Sequence, residues 1–309
     1  MAGTDDRLAR NREVVHRFYR AVNSKHREEF YEIVHKDFVN HGGASGDIVG
    51  PKALVDSLDP FFAAMPDWHV TEDYVLAEND KVASRGTITG THIGSFMGIP
   101  PSNKAVAWSG IIIYRMNDEG KVIERWQDFD AFGMLQQMGV VPMSGPPLRI
   151  PVDPERPPAG DMTVKATAGQ IKASHDVCEK FFAAVNAKDW NAFDQVVADN
   201  CVDFDPMPIQ APGRDGLKAA YQYIAAGFPD VKHKVEEIVA DGDMAIARTS
   251  VTGTNKGFYL VFPASGKVIR WTATRMFRIK NGKIAATWLN MDTVGMLVQM
   301  GIIPAPAAT

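Results

Sequence analysis

The 309-residue sequence is poor in cysteine, in net charge and in long apolar runs. Its two cysteines, Cys178 and Cys201, are too few for a disulfide framework, so we expect reduced thiols. The net charge of -4 gives no reason to expect a nucleic acid or an anionic membrane as a partner. No apolar run approaches the roughly 20 residues that span a bilayer, and residues 1–14 are polar. These shortages predict a cytoplasmic protein that binds neither nucleic acid nor membrane.

A long internal repeat organises the chain. The segment FYRAVNSK (18–25) is similar to FFAAVNAK (181–188), and KVASRGTITGTHIG (81–94) is similar to MAIARTSVTGTNKG (244–257), both at a shift of 163 positions. Past a turn the shift becomes 162, as GMLQQMGVVP and GMLVQMGIIP show. Two long copies with one gap in a turn indicate a duplicated domain rather than a repeat array.

Proline is concentrated between the two copies, where six prolines fall within residues 143–170. Proline fixes φ and lacks an N–H, so this stretch disfavours both helix and sheet. We interpret 143–170 as a semi-rigid linker between a first domain at 1–142 and a second at 171–309. The alternative is an ordered strap packed on one domain.

The spacing of apolar residues predicts helices first and strands afterwards in each copy. In the first copy it predicts a helix over 8–23, a second over 26–34 and a third that opens at Gly50-Pro51. Alternation then predicts four antiparallel strands within 69–128. The fold class is therefore α+β: two tandem domains, each with a curved antiparallel sheet packed against about three N-terminal helices. A cone of this shape would hold a small hydrophobic ligand.

Two segments carry a family resemblance: GTHIGSFMGIPPSNKAVAWSGIIIYR (90–115) and GKVIERWQDFDAFGMLQQMG (120–139). They resemble the SnoaL-like polyketide cyclase, or ester cyclase, family of the nuclear transport factor 2-like superfamily, over about 130 residues of each copy. The resemblance implies a cofactor-independent acid/base enzyme that catalyses aldol or retro-aldol chemistry on a small hydrophobic carbonyl or aromatic substrate. Isomerases, dehydratases, hydrolases and non-catalytic binding proteins share this fold and remain alternatives.

The resemblance also assigns candidate catalytic residues in the first copy. Asp130 matches the family's acid/base aspartate, and His92 matches its loop histidine. Alternation places Asp128 on one strand face with Trp126 and Asp130, where two carboxylates would share a proton. His41 falls where the chain reaches the pocket floor. The plainer alternatives are a helix cap for Asp130, a solvated strand end for Asp128 and a loop hydrogen bond for His92.

Aromatic residues on the predicted elements are candidates for substrate binding, although a place in the core is their commoner fate. These candidates are Tyr19, Trp108, Tyr114 and Trp126. No closely spaced ligand motif indicates a metal, and the sequence predicts no cofactor.

The second copy keeps the scaffold and changes several polar positions. Phe204, Asn255, Asn290 and Phe277 stand where the first copy has His41, His92, Asp128 and Tyr114. The first copy is therefore the better candidate for a working site. In the second copy the candidates are Asp292, Trp271 and Arg275, and its arginines would suit an anionic substrate. We also expect the copies to pack as an intramolecular pseudo-dimer, with further homo-oligomers as an open alternative.

Overall fold

The computed structural model describes residues 4–42, 46–96, 98–141, 153–156, 166–207, 210–260 and 262–303. The chain divides into two compact units, residues 1–163 and residues 164–309. Each unit packs helices against a single sheet, so the predicted α+β fold and its duplication are confirmed. The predicted intramolecular pseudo-dimer stays a prediction.

The first unit places three helices before the long strands. Its elements are α1 (Thr4–Ser24), α2 (Glu28–Ile33), β1 (Val34–His41), β2 (Ile48–Val49), α3 (Gly50–Ala64), β3 (His69–Glu78), β4 (Lys81–Thr91), β5 (Ala105–Met116), β6 (Val122–Phe129) and α4 (Ala131–Met138). The sheet order is β2-β1-β6-β5-β4-β3. The apolar stripe of α1, which includes Val15 and Phe18, is buried in the core with Phe30 of α2.

The second unit repeats this order. Its elements are α5 (Ala168–Ala187), α6 (Trp190–Val196), β7 (Val197–Asp203), α7 (Gly213–Gly227), β8 (Lys232–Asp241), β9 (Met244–Thr254), β10 (Val268–Lys280), β11 (Lys283–Met291) and α8 (Thr293–Met300). The sheet order is β7-β11-β10-β9-β8. Phe181 and Phe277 lie at the centre of its core.

The four predicted strands of the first unit pair antiparallel, and each sheet also contains one parallel pair that the sequence did not predict. β1 pairs with β6 in parallel, and β7 pairs with β11 in parallel. The predicted second helix ends at Ile33, one residue early, and β1 begins at once at Val34. A six-residue helix contributes little apolar periodicity, so the sequence pattern did not separate it from the strand that follows.

The register of β5 and β6 defines two faces of the first sheet. Tyr114 is opposite Arg125, and the Arg125 guanidinium lies over the ring of Phe18 on α1 at 5.0 Å. Because side chains alternate along a strand, Arg125 points to the helices and its neighbour Trp126 points away from them. We call these the helix-side face and the outer face.

Most of the predicted linker at 143–170 lies outside the described residues. Of its described part, Asp153 and Arg156 bond to Tyr74 and Asp73 of β3. The Asp73 carboxylate is buried and also accepts a hydrogen bond from Arg85 (2.6 Å). Residues 153–156 therefore pack on the first unit as a strap.

Several general features of the described residues bear on function. Cys178 and Cys201 are free and buried, and burial raises the pKa of both thiols, to about 12 for Cys201. No described helix is long and apolar enough to cross a membrane. No described group of three or more His, Cys, Asp or Glu side chains is arranged to hold a metal ion.

Candidate functional site

Asp130 lies just beyond β6 and caps α4. Its Oδ1 accepts a hydrogen bond from the Gly133 N–H (2.8 Å), which satisfies one of the free amides of the first turn. Gly133 is required here because a Cβ at that position would collide with the carboxylate. Burial raises the pKa of Asp130, while the Gly133 hydrogen bond opposes part of that rise. Asp130 thus has both the capping contact and the elevated pKa of a useful base.

Asp292 makes the same cap in the second unit. Its Oδ1 accepts from the Gly295 N–H (2.8 Å), and a Cβ on Gly295 would again collide with the carboxylate. The cap is therefore a property of the scaffold, present in both copies. A catalytic role for Asp130 has to rest on something beyond it.

Asp292→Ala should lower the free energy of unfolding of the second unit by about 1 kcal/mol, the usual value of an N-cap. Asp292→Asn should stay close to wild type, because asparagine caps a helix about as well as aspartate. Urea unfolding followed by circular dichroism measures both. Equal losses for the two variants would show that the charge matters rather than the cap.

His92 is fully buried at the base of the loop that connects β4 to β5. Its Nδ1 accepts a hydrogen bond from the Ser102 N–H (3.2 Å) and lies 3.1 Å from the Ser102 Oγ. Asn255 closes the matching loop of the second unit, where its Oδ1 accepts from the Ser265 N–H (2.6 Å). The histidine and the asparagine do the same structural work, so their exchange between copies is no argument for catalysis.

Within the described residues, no hydrogen bond or ion pair joins His92 to Asp130 or to His41. The expected pairing of a buried carboxylate with this imidazole is therefore not observed. The loop contact, which the sequence left as the plainer alternative, is the one that the structure has.

His92→Asn should preserve the loop, because asparagine serves at the equivalent position. His92→Ala should cost about 2 kcal/mol of unfolding free energy, since it leaves the Ser102 N–H without its acceptor. Denaturant midpoints of the two variants measure this difference. A His92→Asn variant as unstable as His92→Ala would contradict the shared role.

His41, Trp126 and Asp128 belong to the outer face. The His41 ring stacks on Trp126 with centroids 5.0 Å apart, and its Nε2 lies 3.3 Å from Glu124 Oε1. Asp128 is buried opposite Ile111. The sequence correctly placed Trp126 and Asp128 on one face, but that face points away from the helices. His41 shares the outer face with Trp126 and is not among the residues that face the helices.

The second unit shows what the His41 position does in this scaffold. Phe204 stacks on Trp288 with centroids 4.7 Å apart and nearly parallel rings. Both copies therefore place a planar ring against the tryptophan of the last strand, an imidazole in the first copy and a phenyl ring in the second. The geometry assigns His41 a stacking role.

Tyr19 and Tyr114 lie together on the helix-side face of the first unit, and Trp108 is on the same face of β5. The Tyr19 hydroxyl lies 2.9 Å from the Ser84 Oγ, and burial raises the pKa of both tyrosines. Trp108 lies farther along β5 and packs edge-on against Trp68 at 5.2 Å.

Arg125 completes this buried polar cluster and was missed by sequence reasoning. Its guanidinium lies 5.8 Å from the Tyr114 ring centroid, and burial lowers its pKa. The Arg125 Nε and the Tyr114 hydroxyl are buried with no hydrogen-bond partner among the described residues. Alternation along β6 puts Arg125 and Trp126 on opposite faces of the sheet. Only the pairing of β5 with β6 shows that Arg125 shares the face of Tyr114, which the helices cover.

The second unit has a small, partly open cavity on its helix-side face. Its volume of about 30 Å³ is room for one or two water molecules. The lining residues come from α5, α7 and four strands: Phe182, Tyr221, Ile224, His233, Thr249, Trp271, Ala273, Arg275, Leu289 and Met291. Two of the predicted second-unit residues, Trp271 and Arg275, line this cavity.

Two polar side chains distinguish the lining. Arg275 donates to the Thr287 Oγ1 (2.9 Å), and its guanidinium lies over the Tyr221 ring at 5.5 Å. Burial and the neighbouring Arg275 lower the pKa of His233 to about 4, so this imidazole is neutral at pH 7. The His233 Nε2 is buried without a hydrogen-bond partner among the described residues.

The two interiors differ in how the space near the sheet is filled. Gly86 and Gly110 of the first unit correspond in register to Thr249 and Ala273 of the second. A Cβ at Gly86 would lie 3.2 Å from Tyr19 atoms, and one at Gly110 would collide with the Phe129 ring. The glycines therefore admit two aromatic rings into the first interior.

Comparison with known proteins identifies the fold family. The family model described as SnoaL-like polyketide cyclase matches residues 13–138 and again residues 175–300. The chain belongs to the SnoaL-like polyketide cyclase family. Its two SnoaL-like segments fall one in each unit and together span more than half of the sequence.

Solved structures similar to this SnoaL-like chain match about one copy each. TsrD from Streptomyces laurentii is 29% identical, covering 43% of this chain and 97% of its own, with a TM-score of 0.40. IdmH from Streptomyces antibioticus, described as a putative polyketide cyclase, is 27% identical, covering 41% and 98%, with a TM-score of 0.39. A putative polyketide cyclase from Bacillus cereus is 25% identical, covering 44% and 86%, with a TM-score of 0.40. No curated protein matches.

Proposed function

We propose that the chain is a cofactor-independent acid/base enzyme that carries out aldol or retro-aldol chemistry on a small hydrophobic carbonyl or aromatic substrate. Membership of the SnoaL-like family supports a cyclase-like activity. The observation that carries the proposal is the Asp130 carboxylate, which is largely desolvated and has a raised pKa. A carboxylate in this state is a stronger base than one in water.

In the proposed reaction Asp130 removes a proton from the carbon next to a substrate carbonyl. The electron pair of the broken C–H bond forms an enolate, which attacks a second carbonyl of the same substrate and closes a C–C bond. The resulting alkoxide takes a proton back from Asp130, so the carboxylate is regenerated. The Gly133 N–H holds one carboxylate oxygen in place during these transfers.

The strand geometry limits which groups can share this task. The Asp130 N–H bonds to the Ser109 carbonyl, and Tyr114 lies five residues farther along β5. At the usual rise per strand residue this is a separation of about 17 Å. Tyr114 and Arg125 are therefore not proposed to contact the carbonyl next to the carbon that loses its proton to Asp130.

The proposal is tested by α-proton exchange, which needs no knowledge of the natural substrate. Acetophenone and 2-acetylnaphthalene carry exchangeable protons next to a carbonyl on an apolar ring. Proton NMR in D₂O should show faster loss of these signals with the protein than with buffer. Binding of both ketones without faster exchange would instead favour a ligand-binding protein.

A further inference from the structure

The cavity of the second unit has the composition of an anion site. Arg275 is only 6% exposed, yet within the described residues it bonds to a neutral hydroxyl and a ring, with no carboxylate in an ion pair. A buried guanidinium without a counter-ion is costly, and a ligand that supplies the negative charge removes that cost.

Within the described residues, no titratable group forms an ion pair with Arg275. The nearby carboxylate of Asp203 accepts its hydrogen bonds from the Gln210 Nε2 (3.0 Å) and the Asp205 N–H (3.2 Å), and none from Arg275. The Cys201 thiol and the Tyr221 hydroxyl stay protonated at pH 7, because burial raises the pKa of each. His233 is neutral, and its Nε2 still needs a partner.

The sheet register places the polar groups on one face of the cavity. His233 is opposite Val251, which is opposite Trp271; Arg275 lies four residues from Trp271 on the same face of β10. The rest of the lining is mostly apolar, with the hydroxyl groups of Tyr221 and Thr249 as the exceptions. One cation in mostly apolar surroundings suits a monoanion that has a short apolar body, and not a multiply charged phosphate ester.

We propose that the second unit binds a small organic monocarboxylate, whose carboxylate fills the cavity against Arg275 and His233 and whose short apolar body extends through the open side of the cavity. The first unit has Ile112 and Val70 at the positions of Arg275 and His233, so this chemistry is confined to the second unit. The site lies outside the residues of the proposed reaction and stands or falls separately from it.

The test uses propionate and its uncharged isostere propionamide with the full-length protein. Histidine ring NMR, with His233→Val identifying the signal, follows the pKa of His233 during each titration. Propionate should raise that pKa by about one unit or more, because an anion beside the imidazole favours its protonated form. Propionamide should leave it unchanged. Equal responses to both, or no response to propionate at tens of millimolar, would overturn the proposal.

Two arginine variants distinguish the effect of the buried Arg275 guanidinium from the effect of losing one positive charge anywhere on the protein. Arg275→Gln should weaken propionate binding, measured by calorimetry, about tenfold or more. Arg270→Gln removes the same charge from an exposed position on the same strand and should bind as wild type does. Arg275→Lys keeps a cation and should retain the preference for propionate over propionamide, which guards against a folding defect in Arg275→Gln. Equal loss in the Arg270 and Arg275 variants would refute the site.

Discussion

Asp130→Asn should slow the α-proton exchange of the aryl ketones by about 10²–10⁴-fold, the usual contribution of a general base. Asparagine has nearly the shape of aspartate and keeps an oxygen for the Gly133 N–H, but it cannot accept a proton at neutral pH. The loss should therefore appear in the rate while the thermal midpoint stays close to wild type. Exchange rates from proton NMR and melting curves from circular dichroism measure the two effects.

The second unit provides a matched control for this experiment. Asp292→Asn changes the equivalent helix cap, which has the same 2.8 Å hydrogen bond, so it has the same expected effect on helix capping as Asp130→Asn. It should leave ketone exchange at the wild-type rate. If Asp130→Asn keeps full activity, or if both variants lose it equally, Asp130 is not the base. Propionate binding in the second unit should be unaffected by Asp130→Asn.

His233→Val should flatten the loss of stability of the second unit in acid. The folded-state pKa of His233 is about 4, below its ordinary value, so the unfolded chain binds a proton first as pH falls. Above about pH 6.5 the imidazole is neutral in both states and does not change the free energy of unfolding. Between about pH 6.5 and pH 4 the unfolded chain binds a proton that the folded protein does not, so the free energy of unfolding falls. By linkage, wild type should lose about 3 kcal/mol more than the variant between pH 7 and pH 4.

Valine is the appropriate replacement because Val70 occupies the equivalent register position of the first unit. Urea unfolding at a series of pH values measures how the free energy of unfolding changes with pH. Subtracting the His233→Val values from the wild-type values removes the contribution of the carboxylates that both proteins share. Identical acid slopes for His233→Val and wild type would show that folding does not lower the pKa of this imidazole.

The sequence predicted the architecture well because the strongest signals were the repeat and the two periodicities. The predicted helices and strands of the first copy coincide closely with α1, α3 and the strands from β3 to β6. It did not predict the parallel pairing of β1 with β6. That pairing joins residues more than 80 positions apart and follows a helix too short to be recognised.

The site was predicted only in part, for a reason that Trp126 and Arg125 illustrate. Alternation tells which residues share a face, but it does not tell which of the two faces the helices cover. His92 depended on where a loop closes, which local pattern does not encode. His233 had a visible signal, since FPDVKH places a histidine where MPDWHV has Val70, an apolar strand position.

The exchange of Gly86 and Gly110 for Thr249 and Ala273 has a consequence for how duplicated proteins diverge. Glycine at the two strand positions leaves room for the Tyr19 and Phe129 rings over the first sheet, whereas Thr249 and Ala273 line a cavity over the second. The sheet order around these positions is the same in both units. One scaffold thereby holds two differently packed interiors in a single chain.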